Sequence, residues 1–412
     1  MKKILLLVWL PWAVYGGGVS LKSLIVHAER NGANRAKMLG VQAANAAIEA
    51  ARSGYAPTLD IGVSYRHTSP KTMQSPGTVG TAFVKAGMNL FDGGRRGAQI
   101  EAKQYESQAA AYEQQAFARS TALSVIRKYF TLKSIRANLN ALNGRDKELK
   151  AQIDRIEKLH KAGMTTAATV DQLRSAYEAN RYSIENTRLA LERSREELSL
   201  LSGLKVHRLR RNYLVEPRKV AFRALGSIRA MQAKARAIGR DADAIIATRA
   251  PQVNLNYTYT HMEYDDLAPG VPPASLPDHQ HTLQLSAGMR LYDGGAVAHQ
   301  SEAVRYRQLA LQAQAAHALK EQQMNARLAR KQLQTTRAQI RSARSALHAA
   351  RSHYNTVRKQ FEAGLVDQVT FLDALTRLNQ AEARYQATRY TYEIHKAVYY
   401  FYNGHDPKRY VR

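Results

Sequence analysis

Few side chains in this 412-residue sequence have the types and spacing that chemistry requires. His279 and His281 are separated by one residue and His261 precedes them, and imidazole nitrogens are common metal ligands. A polar loop that contains histidines explains the same residues without a metal. The sequence has no GxSxG, P-loop or HExxH motif and no paired catalytic carboxylates. We therefore expect no enzyme activity, no cofactor and no metal centre.

The charge of the chain is strongly basic, because 61 Lys and Arg residues against 33 Asp and Glu give a formal net charge of +28. The absence of cysteine excludes a disulfide scaffold and a cysteine-ligated metal. A basic, arginine-rich helical protein could bind nucleic acid by neutralising phosphates. Here the basic residues are spread along the chain among glutamates, so nucleic acid or another anionic polymer is only the alternative partner, and we predict none.

The N-terminus predicts export. Lys2 and Lys3 precede the apolar run 4–10, and three glycines follow at 16–18, which is typical of a secretory signal peptide at residues 1–18. No later stretch approaches the roughly 18 to 20 apolar residues of a membrane-spanning helix. We expect an exported chain without an inner-membrane anchor.

The chain contains an internal repeat. The segment 86–94, AGMNLFDGG, returns at 287–295 as AGMRLYDGG, an offset of 201 residues. Upstream, Ala56-Pro57 corresponds to Ala250-Pro251 at an offset of 194, so the second copy carries seven more residues between these landmarks. The predicted organisation is a signal peptide (1–18), a first repeat (19–203), a linker (204–220), a second repeat (221–404) and a C-terminal tail (405–412).

Each repeat reads as a helix, a β-hairpin, a very long helix, a tight turn and a further helix. The predicted hairpins are about 58–91 and 252–292, the long helices 95–161 and 296–362, the turns at 163 and 364, and the final helices run to 201 and 402. Each long helix would extend about 100 Å. Small residues on the apolar stripe favour close helix packing, as in a coiled-coil barrel.

The predicted strands alternate apolar and polar residues. Their length, about 8 to 11 residues, suits a tilted transmembrane strand, although an ordinary half-buried soluble sheet shows the same alternation. Lys85 and Arg290 lie on the polar faces. In a barrel they would point into the lumen, where they could attract anionic cargo or simply be solvated.

Strand and helix meet at a repeated tripeptide, Asp92-Gly93-Gly94 and Asp293-Gly294-Gly295. An aspartate carboxylate can cap the helix that follows, and glycine accepts backbone angles that a Cβ atom resists. We predict a sharp strand-to-helix corner at both places.

These residues resemble the TolC-like outer-membrane factor family of Gram-negative efflux and type I secretion systems. The resemblance rests on the two Leu-aromatic-Asp-Gly-Gly junctions, the twofold repeat, the hairpins, the long helices and the signal peptide. It implies a mixed α/β membrane protein, a homotrimer with four strands per protomer. Three protomers would close a twelve-stranded β-barrel in outer-membrane lipid, continued by a long α-helical coiled-coil barrel in the periplasm. Four strands cannot close alone, and lipid does not tolerate an open edge.

The resemblance also implies a function. The chain would be a passive exit duct that works with a periplasmic adaptor protein and a proton-driven or ATP-driven inner-membrane transporter. The turns at Gly163 and Gly364 would form the periplasmic tip, which is the expected gate and adaptor-docking site. Drugs, metal ions and unfolded polypeptides all leave through such ducts, and the sequence does not identify the cargo.

At the entrance, Phe361 and Asp373 match the family's aromatic-x-x-Gly and Leu-Asp-Ala patterns. Three copies of Asp373 would form an acidic ring that favours a bound cation, and a solvated surface carboxylate is the alternative. The sequence departs from the family where Thr370 replaces a second aspartate, Phe361 lacks a tyrosine hydroxyl and Val366 replaces an arginine. These departures argue against the family's hydrogen-bonded latch.

Overall fold

The computed structural model describes residues 18–72, 76–267, 272 and 276–412. The predicted signal peptide lies outside these residues, except for Gly18. Parts of both hairpin loops, among them most of the proline-rich segment 269–273, also lie outside them.

The elements follow the predicted order in two similar series, with the first helix divided in two. The first series is α1 (Leu21–Ala28), α2 (Gly32–Ser53), β1 (Thr58–His67), β2 (Thr78–Phe91), α3 (Arg95–Lys161) and α4 (Ala167–Ser202). The second is α5 (Gly226–Ile246), β3 (Gln252–Asp265), β4 (His279–Gly288), α6 (Ala296–Glu362) and α7 (Gln368–Tyr402). Short 3₁₀ helices occur at Ala247–Arg249 and Pro407–Tyr410. Both α3 and α6 have 67 residues.

The described chain divides into two compact units, and each takes segments from both sequence repeats. Unit 1 contains residues 18–36, 115–225 and 319–412. Unit 2 contains residues 37–114 and 226–318. The repeat is therefore present in the sequence and in the order of the elements, but neither copy forms a compact unit by itself.

Unit 2 contains an antiparallel sheet of four strands in the order β1-β2-β3-β4. Within the described residues, β1 pairs only with β2 and β4 pairs only with β3, so both form open edges. The first helix of the second series, α5, buries alanines on its packed face, which allows close approach of its neighbours.

The second hairpin ends earlier than predicted. The sequence favoured a strand as far as residue 292, but β4 ends at Gly288. The reason is pairing. Gly288 lies opposite Gln252, the first residue of β3, so the residues after it have no strand beside them. In the first copy, β2 continues to Phe91 because Met88, Asn89 and Phe91 pair with β3, with a register shift at Leu90.

Unit 1 has a hydrophobic core built from α1, the middle of α3 and the end of α7, with Tyr129, Phe130 and Tyr400 among its largest buried side chains. The predicted linker is held on this core. Leu214 in this linker forms an isolated antiparallel β-bridge with Val411. The buried Lys396 donates from Nζ to the Leu214 carbonyl at 2.7 Å.

Glu216 fastens the same linker through charge. Its carboxylate accepts hydrogen bonds from Arg337 and Tyr392. Burial opposes ionisation, but these hydrogen bonds and the charge of Lys396 outweigh it and lower the pKa of Glu216.

Candidate functional site

The two strand-to-helix junctions have the same capping geometry. Asp92 accepts from the Gly94 amide at 3.2 Å and from the Arg96 amide at 3.1 Å. Asp293 accepts from the Gly295 amide at 2.9 Å and from the Val297 amide at 3.0 Å. Each aspartate thus satisfies amides that have no partner within the helix.

Among the residues that the structure describes, the first junction has an ion pair and the second has none. Arg96 donates from Nε to Asp92 at 2.9 Å, and both side chains are at least nine-tenths buried. The same guanidinium donates to the Gly54 carbonyl at 2.8 Å and lies 4.2 Å from the centre of the Tyr55 ring. Val297 occupies the matching position in the second copy. Sequence reasoning missed Arg96, because an arginine in a first helical turn has no distinctive pattern.

The glycines of the junctions have positive φ angles, from +64° at Gly294 to +86° at Gly94. Gly93 also needs space, since a Cβ atom there would lie 2.1 Å from the Cβ atom of Ala250. At Gly294 nothing described lies within 4 Å of such a Cβ atom. The two junctions are alike in backbone and differ in what surrounds them.

The sheet exposes its apolar face. Ile61 is 80% exposed, Val63 85% and Leu283 72%. On the opposite face, Lys85 lies directly across from Asp60 on β1 and from Thr258 on β3. Arg290, the other predicted lumen-lining residue, lies beyond the end of β4.

The two turns predicted as the tip lie in unit 1 and have one design. Gly163 has φ +74°, its amide donates to the His160 carbonyl at 2.9 Å, and the Met164 amide donates to the Leu159 carbonyl at 2.9 Å. Around Gly364, with φ +75°, the matching bonds run to Phe361 and Gln360 at 3.1 and 2.8 Å. This is the Schellman motif, which ends a helix at a left-handed residue.

The helix after each turn is capped at its N-terminus. The Thr166 hydroxyl accepts from the Thr169 amide at 3.4 Å, and Asp367 accepts from the Thr370 amide at 2.9 Å. Hydrogen bonds from the Thr370 side chain and backbone lower the pKa of Asp367. Thr370, which departs from the family pattern, therefore has a local role in the cap.

A hydrophobic cluster fixes the second turn. Phe361 is buried and stacks on Phe371, with ring centres 4.8 Å apart and planes 17° apart. Tyr354 adds a tilted contact to Phe371 at 6.1 Å. Val366 packs at the edge of this cluster. An apolar core thus occupies this turn, where Phe361 and Val366 depart from the family's polar latch.

Asp373 lies on the first turns of α7 and is half exposed. Its Oδ2 accepts from Nε of Arg377, one helical turn away, at 2.7 Å. This arginine partly neutralises the predicted acidic group, and its spacing of four residues was visible in the sequence. In the first copy, Gln172 and Ala176 occupy the corresponding positions.

Two arginines on α3 connect the helical hairpins of unit 1. Arg155 donates to the Glu362 carbonyl at 2.5 Å, next to the second turn. Arg145 donates to the Thr376 hydroxyl at 3.3 Å, and burial lowers the pKa of its guanidinium. Sequence reasoning found neither contact, because no pattern within one repeat marks a partner in the other.

Residues 28–204 and 226–398 match the protein family described as outer membrane efflux protein. The chain belongs to the outer membrane efflux protein family. It is an outer-membrane efflux channel that extends into the periplasm, as predicted. Family members are transport channels, and they work as trimers with adaptor and pump partners.

Solved structures show the same fold. CusC, described in terms of transmembrane channel formation, is 18% identical with a TM-score of 0.80, over 95% of this chain and 96% of its own. VceC, an outer membrane protein of Vibrio cholerae, is 16% identical with a TM-score of 0.78, over 93% and 96%. The outer membrane channel CmeC of Campylobacter jejuni is 14% identical with a TM-score of 0.81, over 93% and 85%. Comparison with curated proteins gave no match.

The described residues contain no group of three or more His, Asp or Glu side chains placed to hold a metal ion, and this includes the surroundings of His261, His279 and His281. No helix in the described part of the chain is long and apolar enough to cross a membrane.

Proposed function

We propose that three copies of this chain close a twelve-stranded barrel and form the exit duct of a tripartite efflux or type I secretion system. The duct is passive and uses no catalytic residue or cofactor. An inner-membrane transporter supplies the energy, and a periplasmic adaptor joins the transporter to the duct. Family membership supports the duct over the alternative of a coiled coil that binds nucleic acid or another anionic polymer.

The exposed apolar face of the sheet carries this proposal. Burying a side chain such as Ile61 or Leu283 is worth roughly 1.5–3 kcal/mol, so several of them exposed together need apolar surroundings. The two open edges, β1 and β4, require partners as well, since unpaired backbone groups in lipid cost several kcal/mol each. Other copies of the same chain can supply both edges at once.

Two measurements test the duct. The protein purified in detergent is expected to have the mass of a trimer and to form discrete conducting channels in planar bilayers. A monomeric protein without channels would refute the proposal.

Neighbouring residues on β1 provide a matched pair for the barrel face. Val63→Arg places a charge on the apolar face and should impair membrane insertion by about 2–4 kcal/mol near the midplane. Ser64→Arg places it on the polar face and should insert like the unmodified chain. Equal insertion of both variants would show that the apolar face does not meet lipid.

We further propose that the turns at Gly163 and Gly364 form the entrance and the adaptor-docking tip, with Asp373 near the pore. Threefold repetition would place three carboxylates around one axis, and Arg377 would weaken their field. Asp373→Asn is expected to reduce the preference of the channel for cations over anions, measured from reversal potentials in a salt gradient. Glu192→Gln, at an exposed position on α4 about 25 residues after the start of that helix, is the control. Unchanged selectivity in Asp373→Asn would remove this residue from the entrance.

A further inference from the structure

The two hairpins have the same internal register. In the first, Thr58 lies opposite Gly87, and in the second, Gln252 lies opposite Gly288. The sequence offsets, 194 for the first strand of each hairpin and 201 for the second strand, convert one pair into the other. The hairpins are therefore equivalent as pairing units.

The contact between β2 and β3 joins the first hairpin to the second. It places Ala86 opposite Tyr257, Met88 opposite Leu255 and Asn89 opposite Asn254. In the other copy of the repeat, β4 is the equivalent of β2, and β1 is the equivalent of β3. Both β4 and β1 lie at open edges of the sheet. A chain that repeats this contact must do so with another copy, because its own β1 and β4 lie at opposite edges of the sheet.

We propose that β4 of one chain pairs with β1 of a second copy in the register that the two offsets define, with an ion pair from Arg290 to Asp60 across the seam. The offsets place Ala287 opposite Val63, Met289 opposite Ile61 and Arg290 opposite Asp60. This inference rests on the proposed trimer and specifies which residues meet in it.

Charge complementarity supports this register. Within the chain, Asn89 donates to Asn254 at 2.8 Å at the equivalent position. At the seam between copies, the two asparagines are replaced by an arginine and an aspartate, and neither has an ion-pair partner among the described residues. Opposite charges on directly facing strand residues attract, whereas a slip of two residues would place Arg290 opposite Gly62 or Thr58. In the proposed register, Asp60 has a cationic side chain on each neighbouring strand, Lys85 of its own chain and Arg290 of the other copy.

The unpaired end of β4 supports it independently. Among the described residues, Met289 to Tyr292 have no neighbouring strand, and Leu291 and Tyr292 are 86% and 87% exposed. In the proposed register, residues 59–61 of the second copy lie beside them and extend β4 to the length of β2. The empty space at Gly294 agrees with this register. Gly93 packs against Ala250 of its own chain, and the equivalent neighbour of Gly294 would be Ala56 of the second copy.

Disulfide cross-linking tests the register, and the chain has no cysteine of its own to interfere. The double variant Ala287→Cys with Val63→Cys puts two cysteines directly opposite each other at each seam. Two shifted controls pair Ala287→Cys with Ile61→Cys or with Tyr65→Cys. After mild oxidation, the matched variant is expected to give a reducible ladder of dimer and trimer at least fivefold more efficiently than either control.

The outcomes separate this inference from the proposed function. A shifted control that cross-links as well as the matched pair refutes the register, and so does a trimer that none of the pairs cross-links. If the unmodified chain is not a trimer by mass, the proposed function itself fails.

The ion pair has its own test. Asp60→Asn and Arg290→Asn are each expected to weaken the trimer. The double variant recreates the asparagine pair of the internal contact, so its trimer should be about as stable as that of the unmodified chain. The coupling between the two substitutions is expected to be about 2- to 5-fold per seam in the trimer dissociation constant. Independent effects of the two substitutions would refute the ion pair while leaving the register to the cross-linking result.

Discussion

Gly93 and Gly94 allow a steric clash to be separated from backbone strain. Both have positive φ angles, +66° and +86°, so alanine costs about 1–2 kcal/mol at either position. At Gly93 the new Cβ atom would also lie 2.1 Å from the Cβ atom of Ala250, whereas at Gly94 nothing described lies within 4 Å. Overpacking of this kind typically costs a further 1–3 kcal/mol. Gly93→Ala is therefore expected to destabilise the first junction by about 1–3 kcal/mol more than Gly94→Ala does.

Hydrogen exchange of the trimer in detergent measures the difference locally. The amides of Gly94 and Arg96, which donate to Asp92, report on opening of this corner. An extra 1–3 kcal/mol corresponds to exchange about 5- to 150-fold faster in Gly93→Ala than in Gly94→Ala. A difference below twofold, or greater damage from Gly94→Ala, would show that Ala250 moves away freely and that the close approach has no energetic importance.

Three further predictions concern other contacts. Arg96→Gln leaves Asp92 buried without its charge partner and should loosen the first junction by about 3–5 kcal/mol in hydrogen exchange, whereas Ala298→Gln, at an exposed position of the second junction, should have little effect there. Phe361→Ala should cost about 3–5 kcal/mol at the second turn and make it sensitive to limited proteolysis, whereas Leu365→Ala, at an exposed position, should not. Because the folded state lowers the pKa of Glu216, its carboxylate stabilises the docked linker at neutral pH, and this contribution is lost as the pH falls through the titration range of the folded carboxylate. Protection factors of the amides around residues 211–218, corrected for the slower intrinsic exchange in acid, should therefore fall in mild acid, and a Glu216→Gln variant that keeps the same pH dependence would refute this account.

Local signals made much of the fold predictable. The tripeptides at Asp92 and Asp293 and the glycines at 163 and 364 end or begin helices by short-range capping, so the predicted long helices have the bounds of α3 and α6. The strands could also be located from a short-range signal, the alternation of apolar and polar residues with a period of two. The family and the outer-membrane location followed from these landmarks and are confirmed.

Features that depend on a distant partner could not be predicted in this way. The end of β4 is set by where β3 begins, and no residue between 288 and 292 marks it. Arg155 bonds to a carbonyl 207 residues away, which one repeat alone does not reveal. Arg377 is different: its spacing from Asp373 could have been recognised, and it weakens the expected field of the acidic group. The assignment of Asp373 and of the two turns to an entrance stays a prediction.

The unequal junctions show what duplication within one chain made available. If six identical single-repeat chains formed a ring, every corner would carry the same residues, and one substitution would change all six corners. In a chain with two copies, Asp92 pairs with Arg96, whereas the matching position beside Asp293 is Val297. One corner is thereby tied by a guanidinium to the helix before its hairpin, and the other is free to meet different surroundings. A chain that contains both copies can therefore give neighbouring corners different contacts, and the ring that it forms has threefold rather than sixfold symmetry.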